Sequence, residues 1–160
     1  VDKSAFTSLY DTFSGRIYGY IYWVTRNRES ARDIVQTVFI KAWKHGNPPE
    51  DESEAGAWLY AIARNACTDH FRRCGRHRRF KLRYQRERVP QAHNQAEDHL
   101  VWTLLEGLSK KQRSMVYLHI REGYSYGEVA RMMGMKETAV RVSVFRALRR
   151  LREGVGRDLR

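Results

Sequence analysis

The final third of the chain leaves few folds open to it. Ser125-Tyr126-Gly127-Glu128 is a Ser-x-x-Glu capping box, in which a hydroxyl oxygen and a carboxylate satisfy free N–H groups at a helix start. Val129, Ala130 and Met133 give the short helix that follows an apolar face, and Gly134 supplies the left-handed residue that ends it. A second helix is expected from about Glu137 to Arg152. Val140, Val144, Ala147, Leu148 and Leu151 form its inward stripe at helical spacing. Thr138, Arg141, Val142, Phe145, Arg146 and Arg149 lie on the opposite face. A short helix, a glycine turn and a basic second helix make the pattern of a helix-turn-helix, whose second helix fits the DNA major groove. Two packed helices with a solvated basic face are the competing reading. The capping and the density of Arg favour DNA.

The charge agrees with a polyanionic partner, but only for part of the chain. Lys plus Arg number 30 and Asp plus Glu 18 among 160 residues, a formal charge of +12. The balance is −1 over positions 1–71, +8 over 72–88 and +7 over 99–160. The front segment is therefore no generic electrostatic DNA binder, and its surface is better suited to a protein. Two cysteines, no signal-peptide pattern and no apolar run of membrane-spanning length suit a reduced, cytoplasmic protein.

The front segment reads as helical throughout. Phe6, Leu9, Tyr10, Phe13, Ile17, Ile21 and Val24 mark one face of a first helix. After a polar break at 26–29, Ser30 is placed to cap a second helix. Its stripe of Ala31, Ile34, Val35, Val38, Phe39, Ala42 and Trp43 follows the helical template. A loop from His45 to Glu54 carries Gly46, Pro48 and Pro49, then Glu50, Asp51, Glu52 and Glu54. A third helix is expected from about Glu54 to Arg73, with Leu59, Ile62, Ala63 and Ala66 inward. Residues 74–98 have no clear apolar period and read as a basic linker, partly helical at its start. Leu100, Leu104, Leu105 and Leu108 precede a further capping box, Ser109-Lys110-Lys111-Gln112, which opens a helix to about Arg121. The fold class is all-α: two small helical domains (1–73 and 99–160) joined by a basic linker (74–98), the C-terminal one a helix-turn-helix.

Three blocks in series now carry a family likeness. Ala31-Arg32-Asp33-Ile34-Val35-Gln36-Thr37-Val38-Phe39-Ile40-Lys41-Ala42-Trp43 resembles the core-binding helix of extracytoplasmic-function (ECF) sigma factors, of the sigma-70 family. Ala57-Trp58-Leu59-Tyr60-Ala61-Ile62-Ala63-Arg64-Asn65, with Asp69 and Arg72-Arg73 after it, resembles their promoter-melting helix. Leu108 to Arg113, then Tyr124 to Ala130 and Gly134, resembles their C-terminal domain. The resemblance implies a dissociable, non-enzymatic subunit of bacterial RNA polymerase. Its front domain would bind the clamp helices of the largest core subunit and the −10 promoter element. Its rear domain would bind the −35 element and the flap, and an anti-sigma factor would hold it inactive.

By that resemblance Asp33 and Gln36, with Thr37, Ile40 and Lys41 on the same face, belong to the polymerase contact. The family often has Glu where Thr37 stands, which weakens one polar contact. Promoter melting needs platforms for unstacked bases and cations for phosphates. The −10 set is Trp58, Tyr60, Arg64, Asn65, Asp69, Arg72 and Arg73, with Asn65 as base-edge hydrogen-bonder. Trp58 suits core packing equally well. For the −35 element, Thr138, Arg141, Val142 and Phe145 are placed to reach bases. Arg141 suits guanine O6 and N7, and Val142 a thymine methyl. Lys136, Arg146 and Arg149 suit phosphates. The family pattern has Ser-Arg where Val142-Ser143 stand, so the base preference there is open.

Cys67, His70, Cys74 and His77 have ligand-type side chains, but one continuous helix spreads them over about 15 Å, too far for one tetrahedral ion. No metal, cofactor, active site or small-molecule substrate is expected. A free-standing helix-turn-helix regulator is the main alternative, with a protein-only adaptor behind it. A regulator has no need of the Asp33/Gln36 helix followed by an aromatic, Arg-flanked one.

Overall fold

The computed structural model describes residues 2–81 and 103–158, with side chains over 2–76 and 103–156. All its regular elements are helices. Helix α1, Lys3–Thr25, starts at Asp2, whose carboxylate accepts from Ser4 N–H at 3.0 Å, and stops where Arg26 turns left-handed (φ 58°). Helix α2 is Arg28–His45. Its cap is Asn27 rather than Ser30: the Asn27 side-chain oxygen Oδ1 accepts from Ser30 N–H at 2.8 Å. An amide one residue after the left-handed turn reaches the free N–H groups first. Helix α3, Glu52–Lys81, runs past the expected end at Arg73.

The helices bury most of the expected stripes and reveal two exceptions. Trp43 is 44% exposed, edge-on to Phe6 at 4.8 Å. Tyr10, expected inward, is 45% exposed, whereas Tyr20 is buried. The α1 stripe is rotated because α1 packs on two sides, against α2–α3 and against the C-terminal half.

Residues 103–106 are helical and lead to α4, Lys110–Val116, opened by the Ser109/Gln112 capping box. Leu100 lies outside the described residues; Leu105 and Leu108 bury against Val116 and Ala147. Helix α4 continues into a wide π-type turn, Tyr117–Arg121, where Glu122 N–H donates to the Tyr117 carbonyl at 3.1 Å. Helix α5, Tyr126–Met133, has both arms of its capping box and ends at left-handed Gly134 (φ 63°). Helix α6, Glu137–Asp158, completes the helix-turn-helix with Val140, Val144 and Ala147 buried and Leu148 and Leu151 half-buried.

The two halves share one core. Phe13, Ile17, Tyr20, Leu59 and Tyr60 are continuous with Met115, Leu118, Val129 and Val140. Four aromatic rings seal the seam, with centroids 5.3 Å apart for Tyr20–Tyr60, and 5.7 Å for Tyr20–Tyr117 and Tyr60–Tyr124. Gly19 and Gly56 admit two of these tyrosines: a Cβ on either would meet the Tyr117 or the Tyr124 hydroxyl. Tyr20 hydrogen-bonds to Ser114, and Trp23 Nε1 donates to the Arg113 carbonyl at 3.0 Å. Arg16 donates to Glu122 at 3.0 and 2.8 Å, closing the edge with an ion pair whose carboxylate is buried.

Candidate nucleic-acid interface

The outer face of α2 presents Asp33, Gln36 and Ile40 to solvent, with Ile40 55% exposed and Thr37 and Lys41 half-buried. Thr37 turns its hydroxyl back to the Asp33 carbonyl at 3.1 Å, as mid-helix threonines do. Lys41 reaches across to Asp69 on α3 at 3.5 Å. The sequence reading placed these two residues in different sites. The structure brings them together at one open cleft, lined also by Thr37, Arg72, Arg73 and Arg76. A helix-by-helix pattern carries no signal for such a cross-helix pair.

On α3, Asn65, Arg72 and Arg73 are exposed, and Trp58 and Asp69 are half-buried. Tyr60 corrects the expected DNA set for this conformation. It is fully buried between Tyr20 and Tyr124, because Gly56, Tyr60 and Cys67 form the α3 face on which the C-terminal half packs. Burial, next to the Glu122 carboxylate, pushes the Tyr60 phenol far above its ordinary pKa. Arg64 is also engaged. Its Nη1 donates to the Met133 carbonyl at 2.5 Å, capping the end of α5, and its Nη2 donates to Asn65 Oδ1.

Helix α6 turns its other face outward. Lys136, Thr138, Arg141, Val142, Phe145, Arg146 and Arg149 are all exposed, with Val142 at 47% and Phe145 at 68%. Arg141 pairs with Glu137 at 2.8 Å and Arg149 with Glu153 at 3.0 Å. An exposed apolar pair flanked by arginines on the second helix of a helix-turn-helix is a base-reading surface in form.

Two family models match this arrangement: "Sigma-70 region 2" over residues 9–79 and "Sigma-70, region 4" over residues 98–151. The chain belongs to the sigma-70 family and is an ECF sigma factor. It is 32% identical to the ECF RNA polymerase sigma factor BldN of Streptomyces coelicolor over 94% of this chain, and spans 60% of BldN's length. It is 26% identical to the ECF RNA polymerase sigma factor SigX of Bacillus subtilis, over 94% of this chain and 84% of SigX. Its fold matches the sigma factor RpoE, solved with the anti-sigma factor NepR from Bartonella quintana. The TM-score is 0.77 at 23% identity, over 95% of this chain and 97% of RpoE.

In this sigma factor the region 2 match begins within α1, at residue 9, and takes in all of α2 and nearly all of α3. Helix α3 passes through Gly75 unbroken, which keeps Cys67 and Cys74 about 10 Å apart along its axis. Cys74 is exposed, with its Sγ 3.5 Å from His70 Nε2; the His77 side chain lies outside the described residues. Cys67 is buried, and burial raises its thiol to about 12. Alkylation of the native protein at pH 8 is expected to label Cys74 and spare Cys67, read by peptide mass spectrometry; equal labelling would place Cys67 at the surface. The unfolded chain loses that proton near about 8.5. The fold therefore holds more protons above that value, and stability is expected to fall as pH rises from about 9 toward 12.

Proposed function

We propose that this sigma factor docks on core RNA polymerase through the α2 face of Asp33, Gln36, Thr37, Ile40 and Lys41, and reads its promoter with α3 and α6. The observation that carries the reading is the outward α6 face, with Arg141, Val142 and Phe145 displayed by a doubly capped helix-turn-helix behind a region 2 fold. Arg141 is the guanine reader and Val142 touches a thymine methyl. Lys136, Arg146 and Arg149 hold −35 phosphates. Trp58, Asn65, Asp69, Arg72 and Arg73 meet the −10 strand, joined by Tyr60 and Arg64 once the seam with the C-terminal half opens. The working units are 1–73 and 99–160. The basic 74–98 stretch, whose first residues continue α3 to Lys81, follows the polymerase channel.

Docking is to the clamp helices of the largest core subunit and, through the rear domain, to the flap. The factor acts in the cytoplasm by binding rather than by catalysis. An anti-sigma factor restrains it, as NepR is bound to RpoE in the solved complex. No helix of the described residues is long and apolar enough to cross a membrane.

The experiment is run-off transcription with purified bacterial core polymerase, with and without this chain. Initiation at a discrete site only in its presence supports the reading. Absence of any binding to core removes it, and tight binding to duplex promoter without core would favour a free-standing regulator. Arg141→Ala is expected to reduce −35 recognition by about 1–3 kcal/mol while leaving core affinity intact. Asp33→Ala with Gln36→Ala is expected to weaken core binding in a pull-down, and unchanged capture would take those residues out of the interface.

A further inference from the structure

Arg141 is not a free arm on the helix surface. Its guanidinium carbon sits over the Tyr126 ring, 5.1 Å from the centroid. The Tyr126 ring stacks in turn on His119, with centroids 4.0 Å apart and planes within 22°. His119 is itself pinned, its Nδ1 lying 2.7 Å from the Tyr124 carbonyl oxygen. From the other side, Glu137 Oε1 accepts from Arg141 Nη2 at 2.8 Å.

The carboxylate is also placed rather than loose. Glu137 Oε2 lies so close to Gly127 that a Cβ there would meet it at 3.3 Å. It stands at the start of α5, the positive end of that helix dipole. A long exposed arginine samples many rotamers, and the freedom it loses on binding opposes the contact. A guanidinium held by an aromatic face and a carboxylate has less of that freedom left to lose. A guanidinium has five donors, and Glu137 takes one. Enough remain for the two bonds to guanine O6 and N7.

Exposed ion pairs of this kind contribute little to fold stability. Glu137 stands in the first turn of α6, where the helix dipole favours a carboxylate, but on a basic DNA-facing helix the same carboxylate repels phosphate.

We propose that Glu137 and Tyr126 are positioning residues that fix the guanidinium of Arg141 and thereby set the sharpness of base selection at the −35 position Arg141 reads. The proposal rests on α6 being the −35 helix with Arg141 as a base reader. Glu137 lowers general affinity for DNA by its charge and raises discrimination through Arg141.

The test uses holoenzyme reconstituted with core polymerase and a promoter library randomised across the −35 element, read as initiation from each base at each position. Arg141→Ala is expected to flatten preference at one position by about 5- to 150-fold. Glu137→Gln and Tyr126→Ala are each expected to reduce preference at that same position by about 3- to 10-fold, with Tyr126→Phe close to wild type, since the ring alone supplies the cation–π contact. In an Arg141→Ala background neither change has further effect on preference. The proposal is overturned if Glu137→Gln and Tyr126→Ala leave preference intact where Arg141→Ala abolishes it. It is equally overturned if they lower initiation uniformly over all bases, which marks a merely structural role. A Glu137→Gln effect at a different position would make Glu137 a direct base reader instead. If Arg141→Ala flattens no position, the assignment of Arg141 itself falls, and the two failures are told apart by that arm.

Discussion

Tyr60→Ala is expected to lower the stability of the sigma factor by about 3–5 kcal/mol, the range for removing a large buried ring. Tyr60→Phe is expected to leave stability unchanged or raise it by up to about 1 kcal/mol. The two substitutions separate the ring from its hydroxyl. The ring is fully buried and edge-on to both Tyr20 and Tyr124, so its loss leaves a cavity in the middle of the seam. The hydroxyl is buried beside the Glu122 carboxylate without a hydrogen bond of good geometry, and a poorly matched buried donor opposes folding. Denaturant unfolding of the three proteins measures both effects. A loss of more than about 1 kcal/mol in Tyr60→Phe would mean that the hydroxyl is bonded in solution.

Gly56→Val is expected to drive the two halves apart. The first carbon of any side chain at position 56 would collide with the Tyr124 hydroxyl and stand 3.0 Å from the Phe13 ring. Neither neighbour is a floppy chain end, since both rings are wedged in the shared core. Overpacking of this kind costs about 1–3 kcal/mol. The scattering radius of gyration should rise, and proteolysis between the halves should quicken. Gly15→Ala is the control: nothing lies within 4 Å of its Cβ position, and replacing a helical glycine typically adds about 0.4–1 kcal/mol of stability. A Gly56→Val protein as compact and as stable as wild type would show that the seam is not closed in solution.

The helix-turn-helix was legible because its punctuation is local. Ser125, Glu128 and Gly134 act on groups within a few residues, so spacing alone predicts both capping-box bonds and the left-handed turn. The outward set on α6 followed from the period of Val140, Val144 and Ala147. What escaped was every feature that needs two distant segments. Tyr20 and Tyr60 look like ordinary amphipathic positions until the C-terminal half covers them. Arg64 reads as a phosphate ligand because nothing nearby in sequence announces the Met133 carbonyl. The cap of α2 was misplaced for the opposite reason. Asn27 and Ser30 are both good caps, and only the left-handed backbone at Arg26 decides between them.

In the closed arrangement Arg64 spends one N–H on the Met133 carbonyl and one on Asn65 Oδ1, and its buried Nε has no partner, so the side chain is turned into the seam. Under the proposed role of Arg64 at the −10 strand, the closed arrangement competes with the strand for this side chain, and the competition runs both ways. On that proposal, whatever opens the seam raises the affinity of Arg64 for the strand, and a bound strand favours opening by the same factor, as linkage requires. In that role Arg64 makes the fold of the closed molecule a competitor for its own proposed ligand.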